Sequence, residues 1–156
     1  MPDAPAGPAL VRPVRRADLE QVIAIDATVT GLEKRAYWQR VYRRYGKAGS
    51  AEQRHFLVAV ADGGVVGFVI GEVRDWEFGS PPCGWVFAID VHPDARQGGI
   101  GACLLAALGA LFRRSGVQKL RTLLSRDNTL IMSFFRSQGM TLSRLIPLEV
   151  EIGPGT

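Results

Sequence analysis

The stretch VHPDARQGGIGACLLAAL, residues 91–108, runs from a charged turn through three glycines into an apolar run. Glycine inside a helix costs roughly 1 kcal/mol relative to alanine. Bare backbone near Gly98, Gly99 and Gly101 must therefore serve something other than helix stability. The preceding WVFAIDV reads as a strand whose continuous apolarity implies burial on both faces. A buried strand that enters a glycine turn and opens a helix aims several backbone N–H groups outward at the helix start. Such a place binds phosphate oxygens without a dedicated side chain, and Arg96 adds a fixed positive charge beside it. Two familiar phosphate motifs do not fit. A P-loop needs a Lys after its last glycine, and a dinucleotide fingerprint from Gly99 would need glycine where Leu104 stands.

Working outward, ALVRPVR reads as a short strand, with Pro13 pointing to a sheet edge. RADLEQVIAID and LEKRAYWQRVYRRYGK read as helices, the second with an aromatic stripe of the kind that packs into a core. HFLVAVAD and VVGFVIGEVR form a hairpin through Asp62-Gly63-Gly64. After the glycines comes a helix to about Arg114, closed by Ser115-Gly116. QKLRTLLS is a strand, DNTLIMSFFRSQ a helix ending at Gly139, and MTLSRLIPLEVEI one or two final strands. Hairpins mixed with crossover units imply a mixed α/β fold with a strongly twisted central sheet of six to seven strands and helices on both faces.

The 156 residues suit a single domain, residues 9–153, after a flexible tail at 1–8. Hydrophobic residues make up 47% and charged residues 22%, which excludes a disordered chain. The net charge of +4 comes from 16 Arg and 3 Lys spread along the sequence with no basic run, so no nucleic-acid partner is expected. No apolar stretch reaches the roughly 20 residues a bilayer requires, and no membrane partner is expected. Cys83 and Cys103 lack metal spacing and read as buried thiols in a reducing, cytoplasmic setting; no metal site is expected.

With these features in place, the sequence resembles the GNAT family of acetyl-CoA-dependent N-acetyltransferases. That family's pyrophosphate motif, [QR]-x-x-G-x-[GA], matches Arg96-Gln97-Gly98-Gly99-Ile100-Gly101 at every fixed position. VRPVRRADLEQVIAID resembles the family's opening strand and first helix. NTLIMSFFRSQGM resembles its late N-x-x-A-x-x-F-Y-x-x-x-G-F segment, with Asn128 and Gly139 at matching spacing. The resemblance runs from about residue 9 to 145. It implies acetyl-CoA as co-substrate, held by Arg96, Gln97, Gly98, Gly99, Ile100, Gly101 and Ala102, with Ile89 and Val91 on the pantetheine arm. It also implies contributions from Asn128, Phe135 and Arg136, and a sheet splayed between the strand ending at Val91 and the strand Gln118–Ser125. A helix N-cap is an equal reading of Asn128.

The implied reaction is direct transfer of an acetyl group to a small-molecule or peptide amine in a ternary complex, and a homodimer is compatible with it. Two departures matter. Phe135 stands where the family commonly has a Tyr that acts as general acid. Acidic residues often found before the cofactor loop are replaced by Trp85, Phe87 and Ala88. These departures keep a second class in view, a non-catalytic acyl-CoA-binding sensor of the same fold.

An amine arrives as an ammonium ion at neutral pH, so a base is needed. Glu72 is the first candidate, on the strand face shared with Val66, Phe68 and Ile70. Its alternative is an acid at the rim paired with Arg74 or another Arg. Asp90, beside the expected thioester, is the second candidate, with a structural hydrogen bond as its alternative. Asp26, at the end of the first helix, suits a grip on a cationic amine, or is a solvated helix-end acid. His92 in the turn and His55 at a strand start complete the set.

Overall fold

The structure, a computed structural model, describes residues 9–47 and 53–155. It divides between Leu123 and Leu124 into two compact units, each described by itself. The expected tail at 1–8 lies outside the described residues.

The first unit opens with β1 (Leu10–Pro13), α1 (Leu19–Thr30) and α2 (Arg35–Tyr45). The hairpin of β2 (Arg54–Ala61) and β3 (Gly64–Arg74) follows, then β4 (Cys83–Val91), α3 (Ile100–Arg114) and β5 (Leu120–Thr122). The strands form one sheet in the order β1-β2-β3-β4-β5. Neighbours are antiparallel except β4 and β5, which are parallel. The sheet is therefore mixed, as expected, but among the described residues it has five strands rather than six or seven.

Local chemistry explains the joins. Before α1, Arg12 donates from both guanidinium nitrogens to Asp18 at 2.7 and 3.0 Å. The Arg15 N–H also donates to Asp18 at 2.7 Å, so one carboxylate fastens β1 to the helix entrance. Between β2 and β3, Asp62 and Gly63 take φ of 51° and 79°, the two left-handed positions of a tight hairpin turn.

Alternation along β3 sends its residues to two faces. Phe68 and Ile70 join Val22, Ile23, Ile25, Trp38, Phe56 and Val58 in a core beneath α1 and α2. Trp38 packs edge-on to Phe68 at 5.1 Å. Tyr37 of the aromatic stripe is exposed instead. On the opposite face α3 buries Leu104, Leu108 and Phe112. A side chain at Gly84 would collide with the Phe112 ring, so α3 approaches the sheet because that residue has none.

β4 corrects one expectation. Cys83–Val86 are buried, but Phe87 is exposed and Ala88–Val91 are only half-buried. The register steps from Gly71↔Val86 to Ile70↔Ala88, leaving Phe87 as an extra, bulged residue. Its ring lies 4.7 Å from the Arg74 guanidinium. The expected strand Gln118–Ser125 is shorter as well. β5 pairs with β4 only over Gly84–Val86, so the β4 residues from Phe87 to Val91 have no strand partner on that side. Cys83 is buried as expected, whereas Cys103 is exposed on α3.

The second unit contains α4 (Thr129–Ser137), followed by Gly139 at φ 86°. The final strands expected in MTLSRLIPLEVEI are absent: residues 140–155 form no strand. Ile146, Leu148, Val150 and Ile152 keep strand-like alternation, yet each is at least 77% exposed. Alternation alone does not make a strand; the backbone must find a ladder, and here it finds none. Among the described residues no helix is long and apolar enough to cross a membrane.

Candidate functional site

The glycine stretch has the geometry that its composition demands. From Pro93 to Gly98 the chain forms a 3-10 turn, capped where the Asp94 N–H donates to His92 Nδ1 at 3.1 Å. Gly99 then takes φ 72°, the left-handed region, and caps α3. The first helical bond runs from the Cys103 N–H to the Gly99 carbonyl, leaving the amides of Ile100, Gly101 and Ala102 without helical acceptors. Arg96 is exposed and donates to the Val91 carbonyl at 3.3 Å, which ties the turn to the end of β4. Ile89 and Val91 are opposite Val69 and Gly67, on the α3 side of the sheet. Arg96 to Ala102, Ile89 and Val91 are thus gathered at one end of β4, and amides, a cation and open backbone fit a polyphosphate.

Asp90 faces the other way. It is opposite Phe68, on the side covered by α1 and α2. Among the described residues its carboxylate has no hydrogen bond and no ion pair. Burial first, and then the charge of Asp26, push its carboxyl up to about 6, against the opposing charges of Arg96 and Lys34.

Asp26 is no solvated helix-end acid, because it is buried on α1. The indole N–H of Trp38 donates to it at 2.9 Å, and Lys34 Nζ is 3.2 Å from the same oxygen. Trp38 and Lys34 were not readable as site residues. Their contacts with Asp26 cross the turn between two helices, where no periodic spacing marks them.

Glu72 is buried near the opposite end of the sheet, opposite Trp85 at the start of β4. It is four positions along β3 from Phe68, roughly 13 Å along the strand. Arg54 and Arg74 approach its carboxylate at 3.2 and 3.5 Å, and the Tyr45 hydroxyl donates at 3.4 Å. His55 is on β2 with its Nε2 buried and unbonded among the described residues, and burial pushes its pKa down.

In the second unit, the Asn128 side chain accepts from the Ile131 N–H at 3.1 Å and caps α4. Phe135 is buried, its ring 5.3 Å from that of Phe134, and Arg136 is exposed in the last turn.

The sequence profile of the Acetyltransferase (GNAT) family matches residues 20–140, from α1 through α4. The chain belongs to that family. Within the GNAT family it is 33% identical over 87 residues to the mycothiol acetyltransferase of Saccharomonospora viridis. That alignment covers 54% of this chain and 28% of that protein, so the chain spans little more than a quarter of its relative's length. Among solved structures, an aminoglycoside N-acetyltransferase, AAC(6')-Iy in complex with CoA, superposes with a TM-score of 0.79 at 20% identity, covering 95% of this chain and 98% of its own. A transcriptional regulator from Bacillus halodurans superposes with a TM-score of 0.77 at 16% identity, covering 92% and 99%. These likenesses establish the GNAT fold.

Proposed function

We propose that this chain transfers an acetyl group from acetyl-CoA to a primary amine, both bound at once, with Asp90 as the general base. The observation that carries this reading is an unpartnered carboxyl, raised to about 6, at the end of β4 beside the glycine turn. A base near neutrality can take an ammonium proton and release it again.

In this reading the amides of Ile100, Gly101 and Ala102, with Arg96 and Gln97, hold the pyrophosphate. The β4 edge near Ile89 and Val91, without a strand partner toward β5, offers backbone groups to the pantetheine arm and to the oxyanion of the attacked thioester. Asp26 and Asp90 give the α1–α2 face a negative character that suits a cationic acceptor. Asn128, Phe135 and Arg136 are assigned to the cofactor by family pattern alone. Asp90 replaces Glu72 as the first choice because Glu72 is already committed to two guanidinium groups far along the sheet. The aminoglycoside N-acetyltransferase neighbours make small-molecule amines the acceptors to try first. The reaction draws on acetyl-CoA, which suits a cytoplasmic setting.

The test follows free thiol while acetyl-CoA is supplied with polyamines, aminoglycosides, lysine derivatives and peptide N-termini. Turnover with at least one class supports the reading. Saturable CoA binding without thiol release on any amine would make the chain an acyl-CoA-binding module instead.

A further inference from the structure

The acidic face just described already holds an amine, and it belongs to the chain itself. Lys34 Nζ is 3.2 Å from Asp26 Oδ2, and its side chain is one-third exposed (34%). Asp26 is fixed from the other side by the Trp38 indole, which packs on Phe68, and Phe68 is the residue opposite Asp90. Lys34, Asp26, Trp38, Phe68 and Asp90 thus form a contiguous path across one sheet face to the end of β4. The charge of Lys34 acts on Asp90, as do those of Asp26 and Arg96. The chain has 3 Lys in all, and among the described residues Lys34 alone pairs with a buried carboxylate; Lys47 and Lys119 are exposed.

We propose that Lys34 is an internal acceptor, acetylated by its own chain from acetyl-CoA at the same site that serves external amines. The proposal rests on the function argued above. Lys34 gives an ammonium proton to the Asp90 carboxylate, and Nζ attacks the thioester carbonyl carbon. The N–C bond forms, the C–S bond breaks, and CoA leaves as the thiolate. The second amine proton goes to the thiolate, and Asp90 returns its proton to water. Acetyl-CoA and the Lys34 ammonium become Nζ-acetyl-Lys34, CoA thiol and one proton.

Acetylation also deletes the positive charge that opposes the rise at Asp90. With Asp26 and Arg96 unchanged around it, Asp90 then holds its proton to higher pH. Self-modification moves the acid side of the pH–rate profile upward and tempers turnover near neutrality.

The experiment incubates the full chain with acetyl-CoA alone and reads intact mass and peptide maps over time, with thiol release on the amine panel measured in parallel. The expected result is one added acetyl group, at Lys34 at least tenfold faster than at Lys47 or Lys119. Its first-order rate should hold across a tenfold range of protein concentration. Asp90→Asn should slow it roughly a hundredfold, and Gly99→Asp should abolish it. Equal labelling of the three lysines, or a rate that follows protein concentration, overturns the proposal. An unmodified Lys34 in a chain that turns over external amines overturns it while leaving the acetyltransferase reading intact. Failure to bind CoA and to release thiol overturns both.

Discussion

The charge of the Asp26 carboxylate, held by Trp38 and Lys34, acts on Asp90 and adds to the burial that raises the Asp90 carboxyl to about 6. Asp26 comes from the first helix and Asp90 from the fourth strand. In the proposed reaction, this pairing of two ordinary aspartates is what tunes the proton acceptor toward neutrality.

That tuning predicts the pH dependence. Asp90 must be ionised to accept a proton, so kcat/KM should rise with pH through about 6 and level off above it. Asp90→Asn should lower kcat roughly a hundredfold and remove this limb, with the dissociation constant for CoA unchanged. A variant that keeps both its rate and its limb would transfer the role to water or to another group.

The same residue should cost stability. A carboxyl raised in the folded state disfavours its own ionisation, so the cost is absent below about pH 4 and complete above about pH 6. A shift of this size would amount to about 3 kcal/mol for a fully buried group, discounted to ~1–2 kcal/mol because Asp90 keeps some solvent contact. Asp90→Asn should therefore raise the urea midpoint at pH 7.5 and change it little at pH 4. Activity and stability are expected to move in opposite directions in this one variant. A lower midpoint at pH 7.5 would contradict the account.

Glu72→Gln should behave in the opposite way. Glu72 neutralises Arg54 and Arg74 in a buried position and accepts from Tyr45. Gln keeps the shape and loses the buried charge on which Arg54 and Arg74 converge, at a cost of about 2 kcal/mol. Turnover at a temperature where the variant is folded should stay within about threefold of the parent. A hundredfold loss of kcat with an unchanged melting temperature would restore Glu72 as the base.

How far the sequence could be read depends on whether each feature is local. The hairpin at Asp62-Gly63, the helix cap at Gly99 and the family motif at Arg96–Gly101 are local in sequence, and their structures follow from neighbouring residues. The bulge at Phe87 is not local, because an extra residue in β4 is visible only against its β3 partners. Segment 145–152 has a clear two-residue alternation and still forms no strand, because pairing is a property of two segments. The site divides in the same way. Its glycine turn with free amides could be recognised from glycine spacing, whereas the Asp26–Lys34–Trp38 contact depends on how two helices turn against each other.

The glycine turn supplies the last prediction, which separates charge from conformation. Gly99 has φ 72°, and no atom lies within 4 Å of where its Cβ would be, so a side chain there meets strain but no clash. Asp and Asn tolerate the left-handed region better than other residues and have nearly equal size. Gly99→Asp places a carboxylate beside the free amides of α3, where it satisfies them, favours the helix dipole and repels pyrophosphate. Gly99→Asn strains the backbone similarly without the charge. Calorimetry with CoA should show at least a hundredfold weaker binding for Gly99→Asp, about 3 kcal/mol, and a clearly smaller loss for Gly99→Asn. The melting temperature of Gly99→Asp should equal or exceed that of Gly99→Asn, because its carboxylate stabilises the same helix start that it closes to the ligand. Equal losses in the two variants would mean that conformation alone governs the turn. Undiminished binding in a folded Gly99→Asp variant would move the cofactor away from α3.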